Sequence, residues 1–391
     1  MIGIQKALQI AKNQARRLAV EHVGYTCAVG RVLASDVFSD VDMPPFHKSA
    51  MDGYACRRED LGKALQVLEV IAAGKSPLFS VGAGQCSKIM TGARVPECAD
   101  LVFKVEDSEL LPDGKIRFTG EKTSSNICLQ GEDLRTGDLV LPAGTLLKPQ
   151  HIAMLAAVGA TRPLVYCRPR VGVLSTGSEL VSPDVEPDIS QIRNSNGPQL
   201  QAQVEKAGGT ACFYGIVPDD EHAIRDAILK SVEENDLTLV SGGVSVGDFD
   251  FVPQVIRELG FEIHFNRLLV KPGQHTTFAS KGNKYIIGLP GNPVSSFIQF
   301  EIFVSPFLCF IQWINPPEVR LTLPMGQGFR RKKTDKEEYF PVIVSPDNRV
   351  KMVAYNGSAH IHAYHEAFGF IALPVGKAEL KEGELVYVRP L

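Results

Sequence analysis

The spacing of apolar positions divides the 391-residue chain into four textures. At the amino terminus Ile4, Ala7, Leu8 and Ala11 recur at helical intervals, which lays one apolar stripe along an amphipathic helix rather than a signal peptide. A turn at Val23 to Tyr25 follows, then a second helical stretch expected to end near Ser39. From Pro149, HIAMLAAVGA carries apolar residues on most faces with Gly159 as its stop signal, and the opening helix is expected to pack on it. Residues 1–43 and 141–166 are therefore read as one helical linker domain.

Residues 44–140 alternate short runs such as ALQVLEVIAA, CSKIM and KIRFTG with Gly, Pro and Asp turns, the texture of an inserted small β domain. From 167 to 314 the order becomes strand, loop, helix: VGVLS, PQLQAQVEKAGG, TACFYGIV, EHAIRDAILKSVEEN, LTLVSGG, FVPQVIRELG. That alternation predicts an α/β domain with a parallel sheet covered on both faces and ligands beyond the strands' carboxyl ends. The apolar stretch Val294 to Ile314 is interrupted by Gln299, Glu301, Ser305, Pro306 and Gln312, so it reads as a buried core helix and no membrane partner is expected. Residues 315–391 return to short alternating runs and predict a C-terminal β-barrel. The fold class is multidomain α/β plus β.

Charge changes the picture by exclusion. With 41 Lys and Arg against 44 Asp and Glu, the net charge is −3, so no general field holds a polyanion and no nucleic-acid partner is expected. Any anion site must be local. Eight cysteines without a C-x-x-C pair, in a chain long enough to need no disulfides, point to reduced thiols in a cytoplasmic protein.

Three strand-to-helix loops are candidates for that anion site: STGSEL from Ser175, SGGVSVGDFD from Ser241, and LPGNPVSS from Leu289. Small residues let backbone N–H groups approach an anion, hydroxyls add donors, and a helix N-terminus adds its positive end. One such loop is commonly just a turn; three on one sheet are harder to explain that way. None matches the P-loop or dinucleotide fingerprint. Arg267 and Lys271 lie four residues apart on what reads as a strand, which would aim both cations at one face. Asp52, Asp133, Asp219, Asp248 and Asp250 sit in turn-rich segments, Asp52 and Asp248 directly beside glycine, where magnesium could take one or two carboxylates together with substrate phosphates. Each alone also suits a turn or helix cap. His360, His362 and His365 lack a fourth ligand at standard zinc spacing.

Taken together, PPFHKSAMDGYA, IMTGARVPECADLVFKVED, QGEDLRTGD, PRVGVLSTGSEL, the Asp219-Asp220 pair, SGGVSVGDFDFV, KPG and GLPGNPVSS resemble the molybdopterin molybdenumtransferase family, MoeA in bacteria. The resemblance covers essentially the whole chain and keeps motif order. It implies a transferase that inserts molybdate into adenylylated molybdopterin with Mg2+, releasing AMP and molybdenum cofactor. It also implies a MogA-like α/β domain and an elongated homodimer. In that dimer the cleft lies between the α/β domain of one subunit and the inserted β domain of the other, with transient contact to the molybdopterin adenylyltransferase. A paralogue that binds without inserting, or a scaffold, is the alternative.

Carried over by motif, Ser175, Thr176, Gly177, Glu179 and Asp219 would line the molybdopterin side, with Gly242, Gly243 and Ser245 from the second loop. Pro290, Gly291, Asn292 and Pro293 from the third would shape the cleft. Asp250 would act near metal or phosphate, and Arg267 and Lys271 would hold the oxyanion. Asp52, Thr91 and Asp133 would enter from the partner subunit. Asp52, Asp250 and Glu179 are the implied metal ligands. Ser358 matches the family, whereas His47-Lys48, Cys128-Leu129-Gln130, Gln274-His275 and Pro341 depart from its pattern.

Overall fold

The computed structural model describes residues 1–244, 250–315, 321–354 and 357–391. Helix α1 (Ile4–Gln14) buries Ile4, Ala7 and Ala11, most of the expected stripe. Its core is shared with Phe303, Phe307 and Ile311. The Tyr285 hydroxyl accepts from Arg16 N at 2.8 Å and donates to the Gln14 carbonyl at 3.0 Å, tying off the helix end.

The second helix expected to end near Ser39 does not form. Tyr25–Cys27 is a single 3-10 turn, Val20–His22 pairs with Leu164–Tyr166, and Val37–Phe38 pairs with Leu139–Leu141. Valines and threonine favour extended backbone here, and Gly30 at φ +76° interrupts any helix.

The next unit is a four-stranded sheet of β1 (Gly53–Cys56), β2 (Gln66–Ile71), β3 (Gln85–Ile89) and β4 (Leu101–Lys104), in the order β2-β3-β1-β4. A Cβ on Gly53 would stand 2.0 Å from the Phe103 carbonyl oxygen, so glycine must follow Asp52. Helix α2 (Pro149–Ala157) forms as expected, with Gly159 at φ +68° just beyond it. It does not share a core with α1. Leu155 packs instead with Ala28, Leu33, Val37, Leu141 and Val165, so the expected helical domain is mostly extended chain around one helix.

The α/β region contains β5 (Arg170–Thr176), α3 (Asn196–Lys206), β6 (Thr210–Val217), α4 (Glu221–Glu234), β7 (Leu237–Ser241), α5 (Val252–Glu258), β8 (Glu262–Phe265), β9 (Val270–Lys271), β10 (Thr277–Lys281) and β11 (Lys284–Leu289). Its sheet order is β6-β5-β7-β11-β10-β8. The first four strands are parallel, as expected. Strand β10 runs against them, pairing antiparallel with both β11 and β8, which corrects the expectation of a wholly parallel sheet. Only Gly282 and Asn283 separate β10 from β11, with Gly282 at φ +63°, and a two-residue connection can join antiparallel strands only.

Both faces of the sheet are covered. Val171 and Val173 of β5 enter one core with α1, while Leu174 enters the other with α4 and α5. Helix α6 (Pro293–Gln299) continues through a π-turn at Phe300–Val304 into α7 (Ser305–Ile311). By length and composition Pro293–Ile311 could cross a membrane, but 72% of it is buried in the protein. Its Phe307 sits 4.8 Å from the Tyr285 ring and 5.2 Å from Phe278, so it is the core helix expected.

The carboxyl-terminal strands β12 (Leu321–Pro324), β13 (Glu337–Val344), β14 (Val350–Met352), β15 (Gly369–Leu373) and β16 (Leu385–Pro390) form a sheet in the order β9-β13-β15-β16-β12, with β14 also paired to β13. A parallel bridge from Met325 to Val350 brings the far edge back toward β14. Strand β9 ties this sheet to the α/β region.

Candidate functional site

Strands β5, β7 and β11 end together. Ser175 is in register with Ser241, and Ser241 with Leu289, so the three small-residue loops leave one edge of the sheet side by side. Asn196, at the start of α3, stitches them: its Nδ2 donates to Ser241 Oγ and to the Gly291 carbonyl, each at 2.7 Å. A Cβ on Gly242 would fall 2.5 Å from the Thr176 carbonyl oxygen, and Gly242 holds φ +99°, so two loops approach more closely than any side chain permits.

The result is a cleft of about 530 Å³ lined by Ser175, Thr176, Glu179, Asn196, Asn292 and Pro293, among others. Inside it, Ser175 Oγ, Thr176 Oγ1 and Asn196 Oδ1 are buried without hydrogen-bond partners among the described residues. An unmatched buried polar group costs roughly 1–3 kcal/mol, so these atoms favour a polar ligand that supplies their partners. The eleven-residue helix α3 opens on the same cleft with its first turn already satisfied, since Gly197 N donates to a side chain before the helix, Pro198 carries no N–H and Gln199 N donates to the Ser195 carbonyl.

Asp219 braces the cleft from behind. Ser178 N donates to its Oδ2 and its own N–H donates to Ser178 Oγ, both at 3.0 Å, while Asp220 caps α4 through Ala223 N. Ser358 reaches in from the carboxyl-terminal unit: its Oγ accepts from Asn292 Nδ2 at 3.0 Å and its carbonyl from Val294 N at 3.0 Å. Ser245 and Asp248 lie outside the described residues.

Arg267 and Lys271 do not share a strand, which corrects their expected same-face placement. The chain leaves β8 after Phe265, bridges Leu268 to Ile2, and then enters β9 alongside Glu337 and Glu338. Lys271 Nζ sits 2.6 Å from Glu338 Oε1. Burial, with Arg267 and Lys336 adding to it, holds the His275 imidazole below its ordinary pKa, and Asp250 opposes the shift. Arg267 and Asp250 therefore act on one common ring.

Asp52 and Thr91 form a separate pair. Thr91 donates from Oγ1 at 2.7 Å and from its backbone N at 2.6 Å to Asp52 Oδ1, and these bonds hold the carboxyl below the usual carboxylate range. Asp52 faces a cleft with Met51, Lys104, Glu106 and Asp107, not the loop cleft. Asp133 is exposed, its N–H bonded to the Met43 carbonyl. Within one chain neither Asp52, Thr91 nor Asp133 lines the loop cleft. Among the described residues no three His, Cys, Asp or Glu side chains gather as a metal site; His362 and His365 simply stack, 5.0 Å apart.

A larger cleft of about 650 Å³ lies in the inserted β unit, beside Phe46, Leu78 and Phe79. It contains none of the expected site residues. The loop cleft is the stronger site because buried, unmatched donors and acceptors converge there. Sequence reading missed Asn194 and Asn196, although N-S-N-G before a helix is a recognisable start signal. Asn194 Oδ1 accepts from Gly197 N at 3.0 Å and fixes that helix start.

The family models for the MoeA N-terminal region (domain I and II), a probable molybdopterin binding domain and the MoeA C-terminal region (domain IV) match residues 2–159, 172–309 and 324–391. A molybdopterin molybdenumtransferase of Staphylococcus aureus (strain Mu50 / ATCC 700699) is 33% identical, over 98% of this chain and 94% of its own. The chain belongs to the molybdopterin molybdenumtransferase (MoeA) family. A family member from Staphylococcus epidermidis is 32% identical over 99% of this chain and 95% of its own. The crystal structure of the molybdopterin biosynthesis MoeA protein from Pyrococcus horikoshii OT3 matches all of both chains with a TM-score of 0.86 at 28% identity. All three loops fall inside the segment matched to the molybdopterin-binding model of this family.

Proposed function

We propose that this MoeA-family chain inserts molybdate into adenylylated molybdopterin, releasing AMP and leaving molybdenum cofactor. The observation that carries the reading is the meeting of three strand-end loops around the buried, unmatched Ser175 and Thr176 hydroxyls, inside the segment matched to a molybdopterin-binding model. Such a cleft binds and orients. A molybdate or water oxygen attacks the adenylyl phosphorus, forming a new P–O bond as the phosphoanhydride breaks; AMP departs, the other phosphate stays on molybdopterin, and the chemistry rests on positioning and charge stabilisation rather than on a protein nucleophile.

In this reading Ser175, Thr176, Gly177 and Glu179 hold the pterin side, Gly242 and Gly243 bring backbone close, and Pro290, Gly291, Asn292 and Pro293 shape the wall. Asp219 keeps the first loop in place. Arg267 and Lys271 attract the oxyanion, and Asp52, Thr91 and Asp133 come from a second copy in a homodimer. Mg2+ takes oxygen ligands, so carboxylates beside the substrate phosphates suit it. Asp52, Asp250 and Glu179 would hold that ion, which would neutralise charge on the departing phosphate. A cytoplasmic location and transient delivery of substrate by the adenylyltransferase complete the proposal.

The second reading, a paralogue that binds without inserting, is favoured by one observation: Lys271 already carries a carboxylate partner. AMP release and cofactor formation from adenylylated molybdopterin, Mg2+ and molybdate or tungstate separate the two. Turnover by the natural chain that is lost in Asp52→Ala and Lys271→Ala supports insertion. Tight pterin binding without turnover by the natural chain overturns it.

A further inference from the structure

We infer that Glu338 is a positioning residue that aims the Lys271 ammonium at the oxyanion, with Arg331 offsetting its charge from behind. The inference rests on the reading above, in which Lys271 faces substrate. Parallel pairing of β9 with β13 places Lys271 opposite Glu338, so both side chains leave the same face of that short ladder. The carboxylate is nearly enclosed, with 8% side-chain exposure, whereas Lys271 is 59% exposed.

On the other side of Glu338, Arg331 Nη1 stands 3.5 Å from Oε2 with its own side chain only 4% exposed. Arg331 is fixed by the carbonyls of Lys377, Lys336 and Pro374 at 2.6–2.8 Å. Two cations on one carboxylate leave one net positive charge, and its only exposed end is the Lys271 ammonium. A simple Lys–Glu pair would be neutral and a poor anion site. The backbone beyond Lys271 is held from the other side, where Gln299 Nε2 donates to the Pro272 carbonyl at 3.0 Å.

Charge and positioning predict opposite signs. Removing a negative charge beside the site would tighten oxyanion binding if Glu338 acted only through its field. Releasing a flexible lysine would weaken it. For Glu338→Gln we expect the molybdate KM and the molybdate Kd from calorimetric titration to rise about tenfold, with kcat within about twofold. Glu338→Gln combined with Lys271→Ala should bind molybdate no more weakly than Lys271→Ala alone. Unchanged or tighter binding in Glu338→Gln overturns the inference, as do additive losses in the double variant.

If Lys271→Ala retains the full molybdate affinity, the reading of Lys271 itself fails, a result distinct from failure of Glu338. Should Glu338→Gln not fold by circular dichroism, Glu338→Asp keeps the charge against Arg331 but withdraws it from Lys271 by one methylene. It should then raise KM in the same direction, and a natural KM in that variant overturns the inference.

Discussion

Asn196 and Ser241 are joined by a 2.7 Å hydrogen bond from Nδ2 to Oγ, with both side chains buried. The same amide also holds the Gly291 carbonyl, so one side chain ties the start of α3 to two strand ends. Asn196→Ala removes both bonds and leaves the buried Ser241 hydroxyl without this donor, a loss of about 1–3 kcal/mol. Denaturant unfolding should show that loss, and the pterin KM should rise more than kcat falls. An unfolding midpoint and KM like those of the natural chain would count against Asn196 as the link between the loops.

Gly242 tests the close approach of the first two loops. An alanine there would place Cβ 2.5 Å from the Thr176 carbonyl oxygen at φ +99°. Gly242→Ala is therefore expected to destabilise by more than about 1 kcal/mol and to open the cleft around the Thr176 hydroxyl. Gly282→Ala is the control, because its Cβ meets nothing within 4 Å although its φ is +63°. Both should lose stability through backbone strain, but only Gly242→Ala should weaken pterin binding. Equal pterin affinities in the two variants would refute the close-approach account.

The Thr91 hydroxyl is the largest influence lowering the Asp52 pKa, followed by the Thr91 backbone N–H. Thr91→Val keeps the backbone bond and removes the hydroxyl, so the Asp52 pKa should rise toward, but not reach, its ordinary value. Carbon-detected NMR titration of the carboxyl measures it. A depressed folded pKa adds stability that is complete above the unfolded value of about 3.9 and is lost as pH falls through the folded one. The Thr91→Val chain should accordingly lose less stability than the natural chain over that acid range. An unshifted Asp52 would show that the hydroxyl contributes nothing.

What the sequence made legible follows from how local each signal is. The α1 stripe, the parallel β5, β6, β7 and β11, and the three small-residue loops each show in a short window of residue types. Tyr25 to Phe38 was misread because helix-like apolar spacing there competes with β-branched residues whose pairing partners lie beyond residue 138. Asn196 was missed because its two partners are 45 and 95 positions away. Lys271 was placed on a strand with Arg267, since nothing local reveals that its neighbour is Glu338 of a later sheet. Contacts across the chain, rather than weak motifs, account for what the sequence left hidden.

His275 reports on the charges around the oxyanion region. Burial is the first cause of its lowered pKa, Arg267 the second, and Asp250 acts in the opposite direction. Arg267→Gln removes a repelling positive charge, so the imidazole pKa should rise while burial still keeps it below about 6.5. Asp250→Asn removes the attraction and should lower it further. Opposite shifts from two substitutions exclude a general loosening of the fold, which would move both toward the ordinary value. For a histidine with a depressed folded pKa, the stabilising contribution is complete above the unfolded value and is lost as pH falls through the folded one. Arg267→Gln should therefore narrow the pH range over which stability declines. Proton NMR of the ring Hε1 follows both titrations, and shifts of the same sign in the two variants would mean that Arg267 and Asp250 do not act on this ring as opposing charges.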